Sequence, residues 1–185
     1  MNISRFAVAV LLLLTTVSYA ADDWQLVDEG FRFRLPSDWK KVNRRGIDSH
    51  VGEYRGRTAY LEFDEVYGLG NTVEQSAEAT KQWAAAEADP TLLKPGEEIW
   101  RLDGRIARFS LEKVDAEIYG KREFQFVARL SVWYAGKPAG LGVYVFYESE
   151  KDLPTVRRIL RSFEWPTESP TRRVLLRRSA QRDLG

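Results

Sequence analysis

The single histidine of the chain, His50, follows Asp48 and Ser49. A carboxylate, a hydroxyl and an imidazole are the groups from which a nucleophile, its base and an orienting partner are built. Adjacent residues of an extended strand point to opposite faces, so Ser49 reaches His50 only if the segment loops. His50 therefore reads as a surface histidine. Glu62 and Asp64 fall on one face of a strand, with Asp48 and Glu53 upstream, and paired carboxylates can ligate calcium or share acid and base roles. Calcium needs about six or more oxygens converging from a loop, and no Asp-rich loop of that kind occurs. Arg32, Arg34, Arg55 and Arg57 offer these carboxylates cross-strand charge partners instead. Gly68-Leu69-Gly70-Asn71 leads from a strand into a helix, where backbone amides can hold a phosphate. The third glycine of the dinucleotide fingerprint and the lysine of a P-loop are missing, so the segment reads as a turn. No catalytic, cofactor or metal site is expected.

Six tryptophans, eight tyrosines and nine phenylalanines would suit a carbohydrate or hydrophobic-ligand platform, and core packing is the default use for most of them. Strand alternation sorts them. Phe31, Phe33 and Leu35 alternate with Arg32 and Arg34 ahead of Pro36-Ser37-Asp38-Trp39, and Ala59, Leu61 and Phe63 alternate with Glu62 and Asp64. Ile99 to Val114 reads as a hairpin turning at Asp103-Gly104, a pair suited to positive backbone angles. Phe124 to Tyr147 reads as a longer hairpin broken at Gly136-Lys137-Pro138-Ala139-Gly140. Its first arm places Phe124, Phe126, Ala128, Leu130, Val132 and Tyr134 on one face, and its second arm Leu141, Val143, Val145 and Tyr147.

The opposite face of that hairpin carries Val127, Trp133, Tyr144 and Phe146, so the sheet is apolar on both sides and needs cover on both. Two helices are expected as cover. Asn71 or Thr72 caps the first, with Glu74 or Gln75 completing a capping box and Pro90 stopping it after about Ala88. Asp152 caps the second, Pro154 fits its first turn, and Leu153, Val156, Ile159, Leu160 and Phe163 form its stripe over 152–164. The predicted fold is α+β: one antiparallel, twisted sheet of about six or seven strands with helices on both faces. The aromatics a core explains least are Trp133, Tyr144 and Phe146, together with Tyr54, Tyr60 and Tyr67; these are the candidate contact surface.

The N-terminus, with Arg5, the apolar run Phe6 to Leu14, then Ser18 and Ala20, has the order of a secretory signal peptide cleaved after Ala20. The run is short for a retained membrane anchor, and no cysteine follows it to carry a lipid. Export to the periplasm or the extracellular space is expected. With no cysteine in the chain, thiol catalysis, cysteine-based zinc sites and iron–sulfur clusters are excluded and stability rests on burial alone. The net charge of +1 is uneven: residues 166–185 contribute +3 and Arg5 contributes +1, which leaves −3 on residues 21–165. A body of that sign lacks the footprint of a nucleic-acid-binding domain.

The sequence resembles the PsbP-like family of α/β/α sandwiches. The resemblance rests on Gly30-Phe31-Arg32-Phe33-Arg34-Leu35-Pro36-Ser37-Asp38-Trp39, on the Leu102-Asp103-Gly104-Arg105-Ile106-Ala107 step, on the paired long strands, and on the closing Ile159-Leu160-Arg161-Ser162-Phe163-Glu164-Trp165. It spans residues 24 to 165 and implies a protein-binding scaffold without catalytic machinery. The matching residues are structural, so no binding site carries over. The expected organisation is a signal peptide at 1–20, one sandwich domain at 21–166 and a basic tail at 167–185. The expected role is a non-catalytic binding or assembly module that contacts a protein partner, without a cofactor. A carrier of a small hydrophobic or aromatic ligand is the alternative, and a hydrolase built on Asp48 to His50 is the third reading.

The tail carries Arg172, Arg173, Arg177, Arg178 and Arg182 around Val174-Leu175-Leu176. At about 100° per residue the arginines and the apolar residues interleave around a helix rather than dividing into two faces. A membrane-inserting amphipathic helix needs the division, so the tail reads as an extension drawn weakly to anionic surfaces by charge that salt screens. Deleting residues 168–185 is expected to leave the thermal midpoint unchanged while lowering affinity for anionic vesicles at low salt. A marked loss of stability on truncation would count against that reading.

Overall fold

A computed structural model describes residues 23–42, 50–67, 72–134, 137 and 139–165. The signal-peptide segment, Asp48 and Ser49, the Gly68–Asn71 turn and the basic tail lie outside the described residues. The strands among the described residues are β1 (Trp24–Asp28), β2 (Arg32–Pro36), β3 (Lys40–Val42), β4 (His50–Arg55), β5 (Ala59–Tyr67), β6 (Glu97–Leu102), β7 (Arg105–Lys113), β8 (Phe126–Trp133) and β9 (Ala139–Tyr147); β1, β3 and β4 add to those read from alternation. The helices are α1 (Val73–Ala88), the single turn α2 (Ala116–Tyr119) and α3 (Leu153–Arg161). Strands β3 to β9 make one antiparallel sheet of seven in the order β3-β4-β5-β9-β8-β7-β6. The β6–β7 turn takes Asp103 at φ 48° and Gly104 at φ 75°, as the Asp-Gly pair requires.

Segment 31–36 differs from expectation. Its strand β2 pairs with β1 alone in a separate two-stranded sheet, because Phe31, Phe33 and Leu35 are needed above the main sheet rather than within it. They are buried with Leu61, Phe63, Phe109, Leu130, Val143 and Val145 of the main sheet and with Val156, Ile159 and Leu160 of α3. Phe33 stacks on Phe163 at 4.7 Å and 5° between planes, and Phe31 meets Phe63 edge-on at 4.9 Å. Full burial of each such side chain stabilises by about 1.5–3 kcal/mol. This inner face carries most of the core.

Helix α3 is shorter than the predicted 152–164. A 3-10 turn, Glu150–Asp152, precedes it, and Asp152 closes a capping box with Ser149 there, making no side-chain cap to α3 itself. The chain leaves the helix after Arg161, and Glu164 bridges back to Arg32 through paired backbone hydrogen bonds of 2.8 Å. That reversal carries Phe163 into the space over β2. Phe124 also differs: it precedes β8 and packs with Tyr60, Val127 and Phe146 on the outer face, opposite Phe126.

Helix α1 lies on that outer face. Its N-cap is Thr72, with Gln75 completing the capping box. Glu87 near its end takes a two-pronged hydrogen bond from Arg101 at 2.8 and 2.6 Å, and Arg101 alternates with Trp100, which belongs to the inner face. The helix buries only Ser76, Trp83 and Ala86, a narrow stripe for its sixteen residues. Helix α2 covers a second part of the outer face, with Tyr119 meeting Phe146 edge-on at 5.4 Å.

On the inner face, Arg157 of α3 donates to both carboxylate oxygens of Glu98, and the Trp100 indole N–H donates to the same group at 2.8 Å. The hydrogen bond from Arg157, helped by Trp100 and opposed by partial burial, holds the Glu98 carboxyl below the usual carboxylate range. A carboxylate whose pKa is lowered by folding stabilises fully above its unfolded pKa and loses that contribution as pH falls through the lowered one. Glu98→Gln should therefore depress the thermal midpoint at neutral pH, by the equivalent of about 0.2–1 kcal/mol for a partly exposed pair. The deficit should shrink on acidification in parallel melts of the two proteins; a deficit independent of pH would overturn this account.

Candidate functional site

Strand register composes the site on the outer face. Asp64 of β5 pairs with Gly142 of β9, and Gly142 pairs with Ser131 of β8. The row on one side runs Glu62, Tyr144, Arg129, and the row on the other Val66, Gly140, Trp133. Strand residues two apart share a face, so these nine positions form a square on one surface with glycine at its centre. Where the centre has no side chain, a recess opens. The cleft measures about 370 Å³ and is lined by Asp64, Ser131, Gly142 and Tyr144 with Arg129 and Trp133. No described residue of α1 or α2 lines it.

The two glycines have different work. A Cβ on Gly140 would lie 2.8 Å from the Trp133 ring and 2.8 Å from the Val132 carbonyl oxygen, so Gly140 is the bed on which its cross-strand partner rests. A Cβ on Gly142 would meet nothing closer than Tyr144 Cε2 at 3.4 Å, an ordinary contact. Packing does not demand glycine at 142. Its effect is to keep the recess open.

The charges around the cleft are unequal in their satisfaction. Glu62 is paired with Lys121 at 3.4 Å, and the Lys121 ammonium also stands 4.0 Å from the Tyr60 ring centroid. Arg129 is exposed, with its guanidinium 5.1 Å from the Tyr144 ring centroid. Asp64 keeps one carboxylate oxygen, Oδ1, buried and without a hydrogen-bond partner. Leaving such an atom unpaired costs about 1–3 kcal/mol. The cross-strand arginines expected to neutralise Glu62 and Asp64 are used elsewhere, Arg32 on Glu164 and Arg55 near Glu123.

The six aromatics of the candidate contact surface are divided by the fold. Trp133 and Tyr144 line the cleft, each partly exposed. Phe146 and Tyr60 lie beside it on the same face but are buried under α2 and Phe124, so they support the wall rather than present a surface. Tyr54 falls on the inner face, buried against Phe33, with its hydroxyl donating to Glu29. Burial first, and then the Glu29 carboxylate, push its phenol pKa far above the usual value. Tyr67 ends β5 opposite Ala139. Asp64, Ser131 and Arg129 were not singled out as contact residues from sequence; the period-two pattern Asp64/Glu62 and the Gly140/Gly142 pair were the signal available.

His50 opens β4, two strands from β9, and no histidine lines the cleft among the described residues. Among the described residues no group of three or more His, Asp or Glu side chains is placed to hold a metal ion. No helix of the described residues is long and apolar enough to cross a membrane.

No family model and no curated protein matches the sequence. Among the solved structures similar to it are two from bacteria. The cyanobacterial PsbP of Synechocystis sp. PCC 6803 aligns at 14% identity and a TM-score of 0.47, over 83% of this chain and 99% of its own. A crystal structure from Bacteroides thetaiotaomicron VPI-5482 aligns at 12% identity and a TM-score of 0.46 over 76% of this chain, which spans 47% of that protein's length. The PsbP-like family named from the residue patterns is thus represented among the structures this chain is similar to.

Gly142→Ala should be tolerated or slightly stabilising, since alanine in a strand loses less backbone freedom on folding than glycine, an effect of about 0.5–1 kcal/mol. Gly140→Ala should cost about 1–3 kcal/mol by forcing Trp133 off its bed against fixed backbone. Urea unfolding of the two variants checks the contrast, and equal losses would show that both glycines serve packing alone.

Proposed function

We propose that the protein is an exported, non-catalytic binding or assembly module that receives a protein partner at the outer-face cleft. The observation that carries this is the open centre at Gly142, a position where packing accepts a side chain and the strand goes without one. Around it stand two partly exposed aromatic rings, the residue type enriched where proteins bind one another. A carrier of a hydrophobic ligand calls for a deep apolar pocket, and the carboxylate of Asp64 and the guanidinium of Arg129 oppose that use here. A hydrolase built on a serine calls in its usual form for a histidine as base, and the described lining holds a serine and a carboxylate with no histidine among them.

A photo-crosslinking amino acid at position 131 should capture a discrete partner from the native envelope fraction, while the same group at position 117 on α2 should not. Capture that is absent at 131, or equal at both positions, would overturn the proposal.

A further inference from the structure

The layer that closes the inner face has an outward side of its own, and cations dominate it. A groove of about 440 Å³ runs along α3, lined by Pro154, Arg157, Arg158, Arg161 and Ser162. Three arginines line it and, among the described residues, no carboxylate does. Glu98, outside that lining, takes both prongs of Arg157, so Arg157 is committed to the fold. Arg158 and Arg161 are exposed, and each lies over an indole ring: Arg158 at 4.2 Å from the Trp24 centroid and Arg161 at 4.8 Å from that of Trp100. Both belong to the last turn of α3. A cation there suits the negative end of a helix, and lysine would serve that purpose as well. Stacking on an aromatic face is the property of a guanidinium. That contact uses none of its five N–H donors and fixes the plane of the group, so the fork is presented ready to a planar acceptor with two oxygens. The seat of Arg161 is itself held, because Trp100 stacks on Phe109 at 4.4 Å and its N–H donates to Glu98.

The surface continues from Arg158 onto the small sheet. Trp24 and Leu26 share one face of β1, and Arg34 is the cross-strand partner of Leu26. Leu26 is 58% exposed and Arg34 is exposed, so an apolar step stands beside the cations. An inorganic anion would meet the arginines and leave Leu26 in water. A bilayer calls for an apolar face broad enough to insert, which one leucine does not make. A polypeptide with carboxylates next to an apolar side chain meets every group.

We infer that the groove along α3, with Trp24 and Leu26 beside it, is a docking surface for an acidic segment of a protein partner. Its carboxylates take the donor edges of Arg158 and Arg161, and its apolar side chain covers Leu26. Helix α3 packs on the inner face, so this surface lies across the main sheet from the outer-face cleft and does not rest on the role proposed for that cleft.

The probe is the blocked peptide acetyl-Glu-Gly-Glu-Leu-amide, titrated into the isotope-labelled full mature chain while the Nε–H resonances of Arg158 and Arg161 and the Trp24 indole N–H are followed. Its isostere with glutamine in place of both glutamates, and vesicles of phosphatidylglycerol, are run in parallel. The acidic peptide should shift these resonances saturably, and the neutral one should bind about ten-fold or more weakly, the difference expected between a charged and a neutral hydrogen-bond acceptor. Arg158→Gln together with Arg161→Gln should reduce the acidic peptide to the level of the neutral one. Arg161→Lys, which keeps the charge and loses the fork, should retain only part of the affinity. Leu26→Ser should weaken the peptide about three-fold through the apolar contact. Deleting residues 168–185 should leave the affinity unchanged within error, which separates this surface from the arginines of the tail. Equal binding of the two peptides, full affinity in the double variant or in Leu26→Ser, loss of binding on tail deletion, or no response to the acidic peptide would each overturn the docking surface. A response to the vesicles without one to the peptide would give the arginines to lipid and overturn it too. Capture at position 131 tests the outer-face cleft and stands or falls separately from all of these.

Discussion

Strands β8 and β9 have apolar side chains on both faces, and the rest of the architecture follows from keeping water off both. Leu130, Val143 and Val145 face one way and Val127 and Phe146 the other, all essentially buried. A sheet of this kind cannot stand with one side in solvent. On the inner side the chain closes the problem with α3 and a second small sheet, whose Phe33 and Leu35 reach no solvent at all. The ring stack Phe31, Phe33 and Phe163 joins two stretches of chain far apart in sequence. The closing segment 162–165 is held there by Ser162, whose hydroxyl accepts from the Arg34 N–H at 2.8 Å, and by Asp103, which accepts from the Trp165 N–H at 3.0 Å.

The outer side is closed by weaker means. Helix α1 brings one large buried residue, Trp83, and is tied down at its far end by the Arg101–Glu87 pair. Helix α2 is a single turn capped at Asp115 and ended by Gly120 at φ 65°. Between these partial covers the sheet surface must be made compatible with water residue by residue. Asp64, Ser131 and Arg129 are the polar positions, and Trp133 and Tyr144 are aromatic positions with an exposed side. The cleft is therefore a consequence of asymmetric cover: one face of the same strands is a core, and the other is a surface shaped by what the helices leave open.

Much of this was legible in sequence where a local rule decides the outcome. Alternation placed β5, β7, β8 and β9, Asp103-Gly104 placed the hairpin turn, and Thr72 with Gln75 placed the start of α1. The misplacements share a cause. Segment 31–36 alternates like any half-buried strand, and nothing local says which sheet it joins; that depends on the aromatic space above Phe63. Phe124 keeps strand parity with Phe126, yet the backbone reverses it before β8 begins. Tyr54 and Tyr60 are both strand tyrosines, and their separation onto opposite faces depends on the register of β4 against β5. The cleft was half legible. Trp133 and Tyr144 stood out as aromatics with no assigned cover, but Asp64 and Ser131 join them only through pairing across β5, β9 and β8, a long-range fact.

Gly140 and Gly142 show how one face of a sheet can encode both packing and access. On the inner face the same strand carries Leu141 and Val143, so the alternation that builds the core also spaces the glycines two apart on the other side. One is covered by Trp133, its cross-strand partner, a pairing that restores to a glycine position the apolar contact it lacks. The other is left between Asp64 and Ser131 with room for a side chain. Had the opening served only to relieve crowding, polar neighbours would be expected to close over it and pair with one another. Instead the Glu62 carboxylate two residues away is paired with Lys121, while Asp64 keeps an oxygen unpaired. Of the two carboxylates on this face of β5, the one beside Lys121 is paired and the one beside the glycine row keeps a buried oxygen unpaired, because a glycine at 142 brings no donor side chain across to it.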